Sequence, residues 1–240
     1  MAGPERENYS TTLSAEPMEI RASLYRLLAL LYKAEISLDL LQDLGHLPAA
    51  DDLISLDRSG ELMARFDELA AELSSRQPKD ISSLKQELDI DFARVFLGTG
   101  SKPAYPYESV YVDPYGMLMS EPYQEVIERY QSSGLRKVSR HGELEDHISF
   151  ELAFMGHLCE KTAQALKAGN REPVGRLLDE QNQFLRCHLI RWVPRFCQDV
   201  QQSCATNFYN VLAELTTAFI KSDAQFVADV ESSKGLGETL

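Results

Sequence analysis

Apolar residues recur at intervals of three and four along almost the whole chain, the spacing that gathers them on one face of a helix. Ile20, Leu24, Leu27, Leu28 and Leu31 form a first stripe, and Leu38, Leu41 and Leu44 a short second one between Ser37 and Gly45. Leu62, Phe66, Leu69 and Leu73 form a third, ending before Gln77-Pro78. Asp80 is placed to cap the next helix, because its carboxylate can accept the unpaired N–H groups of a first turn. That helix carries Ile81, Leu84, Leu88, Phe92, Val95 and Phe96 inward and stops at Gly98. Helix returns from Ser120 to about Ser132. A longer one is expected from Glu143 to Ala168, closing on Gly169-Asn170, and its wide apolar face predicts the most buried position. Another opens at Glu172-Pro173, with Pro194 expected to kink or end it. A last helix is expected from Thr206 to Val230, with a frayed tail from Glu231. No alternating strand pattern runs longer than Val110 to Val112. The pattern predicts an all-α fold: one globular domain over residues 17–230, of about eight to ten helices, between flexible ends at 1–16 and 231–240.

One stretch breaks the periodicity. From Gly98 to Met117 the chain reads GTGSKPAYPYESVYVDPYGM. Pro103, Pro106 and Pro114 exclude a continuous helix, each removing a donor and biasing its predecessor to extended backbone. Loops this long inside a compact domain are usually functional or linkers. A linker would be rich in Ser and Gly and poor in rings. This one holds four tyrosines, whose hydroxyls favour half-exposed sites that grip a peptide or ligand.

Composition narrows the partner. The 240 residues are 44% hydrophobic, enough for a substantial core, and carry a net charge of −13. So acidic a surface repels nucleic acid and anionic lipid and attracts basic peptides or cations. The polar N-terminus has neither the basic start nor the apolar middle of a secretory signal. The richest apolar window, Ile20 to Ala34, carries Arg21, Arg26 and Lys33, so no membrane span is expected and the protein is placed in the cytoplasm. Cys159, Cys187, Cys197 and Cys204 form no CxxC pair and read as reduced thiols, Cys159 among those packed part-buried.

Three clusters could carry chemistry. Gly98-Thr99-Gly100-Ser101-Lys102 superficially suggests a phosphate cradle, but proline rather than a helix follows it. Glu143, His147 and Glu151 would share one helix face if the long helix included all three. That row could bind a metal, meet a partner, or merely complement the helix dipole; one histidine with two carboxylates makes a poor zinc site. Finally, Phe92, Phe96, Tyr105, Tyr107, Tyr111 and Tyr115 straddle the helix end and the loop, the two phenylalanines at core spacing.

Together these segments resemble the TorD/DmsD family of redox-enzyme maturation chaperones. Phe92, Val95 and Phe96 stand in its aromatic-x-x-aliphatic-Phe motif. Tyr105-Pro106-Tyr107-Glu108-Ser109-Val110-Tyr111 is similar to its Pro-aromatic-x-Ser-Val-Tyr loop, and Glu143-x-x-Asp146-His147 to its Glu-Pro-x-Asp-His motif. Phe184 to Cys197 looks like its C-terminal helix. Leu144 stands in place of a proline and Val95 in place of the commoner leucine.

The resemblance implies an all-helical cytoplasmic chaperone without catalysis. Such a chaperone binds the twin-arginine leader, and often the body, of an apo molybdopterin oxidoreductase. It holds this catalytic subunit until cofactor insertion and folding precede export. The peptide-site candidates carried over are Phe92, Phe96, Tyr107, Glu108, Ser109, Tyr111, Glu143, Asp146 and His147. Glu143 and Asp146 are expected to meet the arginines, and Tyr107 and Tyr111 to pack the apolar stretch. Alanine at Asp146 and His147 should then weaken leader binding without lowering thermal stability. No cofactor is expected beyond the weak GTP binding associated with the family. Either a monomer or a domain-swapped dimer fits. One rival reading is a nitrate-reductase-type assembly chaperone for a membrane-bound catalytic subunit. The other is a metal-dependent enzyme using Glu143, His147 and Glu151. Whether the tyrosine loop and the Asp146-His147 segment meet in space cannot be read from the sequence.

Overall fold

The computed structural model describes residues 13–44, 53–57, 59–74, 81–136 and 142–237. The expected stops at Gly45 and Gln77-Pro78, the Asp80 cap, most of the predicted flexible end at 1–16 and the last three residues of the predicted tail lie outside these residues. Ten α-helices are described, with no strand among the described residues. They are α1 (Ala15–Lys33), α2 (Leu38–Leu44), α3 (Glu61–Ser74), α4 (Ile81–Phe96), α5 (Glu108–Val112), α6 (Glu121–Ser132), α7 (Ile148–Lys167), α8 (Val174–Phe184), α9 (Ile190–Ser203) and α10 (Asn207–Gly237). No described helix is long and apolar enough to cross a membrane.

The most extensive packing is between α1 and α7, as the wide apolar face of the latter predicts. They approach closely at Gly156, where a Cβ would stand 3.3 Å from Tyr25 Cβ and 3.4 Å from the Ala22 carbonyl. Rings from four helices interlock behind this pair: Tyr32, Phe96, Phe196 and Tyr209 meet edge-on or tilted, with Trp192 against Phe196. Phe92 and Phe96 belong to this core, each 5% exposed.

Polar cross-braces pass through the apolar mass. The wholly buried Arg21 guanidinium pairs with Asp223 and donates to Gln181 Oε1 at 2.6 Å. Tyr25 donates to the same aspartate, and Gln181 donates to Thr162. Four helices (α1, α7, α8 and α10) are thereby tied at one point with the buried charge paired. Asp91 performs another long-range task. Its carboxylate accepts the N–H groups of Ala205 and Thr206, just ahead of α10. Burial pushes the thiols of Cys159 and Cys197 up to about 12, in keeping with packing residues.

Four boundaries differ from the sequence expectation. The long helix begins at Ile148 rather than Glu143, because His147 serves as its N-cap: the ring Nδ1 accepts the Ser149 N–H at 3.1 Å. Pro194 lies inside α9 and does not end it. The irregularity falls upstream, in a π turn at Leu185–Leu189, where one extra residue is accommodated in the helical turn. The last helix continues past Val230 to Gly237. The tyrosine loop contains a helix of its own, α5.

Candidate functional site

α5 exists because residues far along the chain complete it. Pro106 and Pro114 bracket its five residues, and a helix this short leaves its first N–H groups unsatisfied. The Glu108 N–H donates to the Asp146 carbonyl at 3.0 Å, and the Ser109 N–H to Asp146 Oδ2 at 3.0 Å. Ile148 N–H in turn donates to the Pro106 carbonyl at 2.9 Å. Tyr107 and His147 form an antiparallel bridge, their rings edge to face at 5.3 Å. The loop and the start of α7 are therefore clasped, main chain to main chain. The turn Leu144–His147 closes with leucine at its first position, His147 N–H donating to the Leu144 carbonyl.

A pocket of about 340 Å³ opens beside this clasp. Tyr107, Glu143 and His147 line one side, and Phe92, Phe96 and Leu97 from the end of α4 line the floor. The Tyr107 hydroxyl donates to Glu143, and that bond together with half-burial pushes the phenol well above its ordinary value. Because His147 Nδ1 accepts from Ser149, the neutral ring carries its proton on Nε2. Lys33, the last residue of α1, lines the pocket as well, with Ala34 and Glu35 just beyond it. Neither Lys33 nor Glu35 belongs to any motif, so neither was a sequence candidate. They continue the first apolar stripe as ordinary polar residues at a helix end.

The other candidates stand behind the pocket wall. Asp146 is wholly buried and turned toward α5 as its cap. Ser109 is buried too. Glu108 is fully buried, 2.8 Å from His188 Nδ1 in the π turn. Tyr111 is 8% exposed, set between Trp192 and Phe196 with the Arg195 guanidinium over its ring. The tyrosines expected at half-exposed positions thus divide: Tyr107 is partly buried, Tyr105 and Tyr115 are 46% and 87% exposed, and Tyr111 has joined the core.

The helical row of Glu143, His147 and Glu151 does not form. Glu143 precedes α7, and Glu151 is wholly buried with Oε2 accepting from Trp192 Nε1 at 2.9 Å. Among the described residues no group of three His, Cys, Asp or Glu side chains could hold a metal ion, so the metal-enzyme reading loses its ligand set. The glycines at 98 and 100 have a local explanation. Gly98 ends α4 at φ 77°, and a Cβ on Gly100 would stand 2.7 Å from the Arg94 carbonyl.

The chain is similar to known proteins over most of its length. Residues 59–198 match the model of the nitrate reductase delta subunit family. The chain is 30% identical over 210 residues to the chaperone protein TorD of Aliivibrio fischeri, covering 88% of this chain and 95% of that one. It is 29% identical over 224 residues to the TorD chaperone of Shewanella pealeana, covering 90% and 94%. With the TorD chaperone of Vibrio cholerae it shares 31% over 211 residues, covering 85% and 90%.

Proposed function

The chain belongs to the nitrate reductase delta subunit family, among the TorD chaperones, and from that membership we propose that it receives the basic head of a twin-arginine leader in the pocket beside Tyr107. It is a chaperone for molybdoenzyme maturation and not an enzyme. In the proposed reading it acts in the cytoplasm, and its client is the apo catalytic subunit of a molybdopterin oxidoreductase.

The observation that carries the reading is the composition of the pocket. Two carboxylates, Glu143 and Glu35, line it together with the rings of Phe92, Phe96 and Tyr107, and Lys33 and His147 line it as well. A guanidinium is planar, weakly hydrated and permanently charged. It pairs with carboxylates and lays its stem and face on aromatic rings. At about 340 Å³ the pocket suits one or two side chains rather than a bulky ligand. Asp146, Ser109, Glu108 and Tyr111 serve this site indirectly, by holding the wall that carries Tyr107. Asp146 is therefore a poor substitution for testing contact, since alanine there removes the α5 cap as well.

The test is a calorimetric titration with two synthetic leaders, one carrying the arginine pair and one carrying lysines instead. Tighter binding of the arginine peptide is expected, with a loss of roughly tenfold in Glu143→Gln and in Glu35→Gln, about 1.4 kcal/mol. Equal affinities for both peptides, unmoved by either substitution, would sink the assignment. The family match also favours a second client, a membrane-bound nitrate reductase catalytic subunit. Pull-down from anaerobically grown cells separates the two by whether the captured protein carries a twin-arginine leader.

A further inference from the structure

Beyond α5 the chain displays an apolar tip that the pocket does not use. Tyr115 is 87% exposed, Met117 60%, Leu118 50% and Met119 56%. Four large apolar side chains in five residues stand in water, where burial would be favourable. The tip is nonetheless tied down. Asp113 Oδ1 accepts the N–H groups of Tyr115 at 2.8 Å and Met117 at 3.1 Å, and the Asp113 carbonyl accepts that of Gly116. A Cβ on Gly116 would stand 3.5 Å from the Val110 carbonyl, so the turn folds back on α5. Met119 holds φ 58°, a left-handed backbone uncommon outside glycine and sparsely populated by unbranched side chains.

We propose that this tip, Tyr115 to Met119, is a second docking surface and that its occupant is the apolar segment following a peptide's basic head. Charge limits what can cover it. From Pro103 to Glu128 there is no Lys, Arg or His, whereas Asp113, Glu121, Glu125 and Glu128 surround or follow the tip. An anionic lipid surface or a second copy of this chain, itself at −13, would be repelled. An uncharged apolar segment with cations at its end is attracted. Position points the same way. Tyr107 lines the pocket, and seven residues, the five of α5 rising about 1.5 Å each and then Asp113 and Pro114, separate it from Tyr115 at the start of the tip. A peptide with its head in the pocket has its following residues within reach of the tip. Methionines suit that task, since their flexible thioethers adapt to apolar partners of varied shape.

The identity of the occupant rests on the leader reading, and three synthetic peptides separate the two claims. One joins an arginine pair to a run of leucine and alanine, one is the arginine head alone, and one has lysines in place of the arginines with the apolar run kept. They are titrated against the unaltered chain and the variant Tyr115→Ser/Met117→Ser/Leu118→Ser/Met119→Ser, whose altered side chains are all exposed. The variant is expected to lose roughly tenfold or more in affinity for both peptides with the apolar run and nothing for the head alone. If arginine and lysine peptides bind equally but remain tip-dependent, the leader reading fails and the tip proposal stands. The proposal is overturned if the variant binds the apolar peptides as the unaltered chain does, if it loses the head peptide equally, or if no peptide binds the unaltered chain. Tip-dependent self-association in sedimentation, or tip-dependent binding to anionic vesicles, would also overturn it by naming another occupant.

Discussion

Glu151 is buried completely, and its surroundings are acidic: Glu108 from α5, Asp146 from the turn before α7, with Tyr130 from α6 and His188 from the π turn close by. Burial first, and the charge of Glu108 second, push its carboxyl well above the usual range. The retained proton can be donated to Glu108, while Trp192 satisfies the other oxygen of Glu151. The consequence for stability has a definite sign. Below the unfolded value near 4.5 both states hold the proton. Above it the unfolded chain ionises first, so the native state loses stability as pH rises toward the folded value. Glu151→Gln keeps the shape and the donor of the protonated acid. Melting temperatures measured from pH 4.5 upward should therefore fall less steeply in the variant, with the variant the more stable at neutral pH. Parallel curves would mean that Glu151 is ionised in the fold. None of this was legible beforehand. Glu151 reads as the third member of a helical row with Glu143 and His147, and the Glu108 and Trp192 it meets lie tens of residues away. Phe92, Phe96, Tyr107, Glu143 and His147 were legible, because local motifs carry them to one pocket; Glu35 was not, having no motif.

Among the elements, the periodic stripes proved reliable, the short one at Leu38–Leu44 included, and the elements completed by distant residues did not show. α1, α3, α4 and α6 lie where their stripes place them, since each pays its own way in buried apolar surface. α5 was hidden, because three prolines mark the segment as irregular and its cap, Asp146, is 37 residues downstream of Ser109. The start of α7 was misplaced because Glu143 to Asp146 look like a favourable acidic first turn, whereas a histidine ring performs the capping. The π turn has no sequence signature, and Pro194 drew the expected break downstream of it. The α1–α7 contact offers a test at this scale. Gly156→Val would push branched methyls against Tyr25 and Ala22, forcing the helices apart at a cost of about 1–3 kcal/mol. Thermal melts should register it as a clear fall, while an unchanged melting temperature would show that the two helices separate without strain.

For the molecule as a whole, the all-α architecture was readable from end to end, since 3.6-residue periodicity leaves no room for a sheet. What the stripes could not supply was which ends meet. The net charge of −13 acts at this scale too, and on the proposed function its field draws a basic-headed peptide in before any contact forms. Raising the ionic strength from about 0.05 to 0.5 M should slow its association in stopped-flow measurements far more than it changes dissociation, because salt screens the approach over about 4–14 Å. A rate indifferent to salt would confine recognition to contacts inside the pocket.

The pocket also has an order in time. Its walls come from residues 33–35, 92–97, 106–107 and 143–147, and the clasp that holds Tyr107 closes only when Asp146 and Ile148 are present. During synthesis, a ribosome that has made Phe92 and Phe96 has not yet made the side lined by Tyr107, Glu143 and His147. The nascent chain passes most of its early life with Phe92 and Phe96 translated but no complete cleft to grip with. Competence arrives in one step, when the chain has grown past the start of α7 and folded back on itself. On the proposed function, a newly made molecule cannot engage a client with half a site, since the pocket is complete only once the chain's own folding has brought distant segments together.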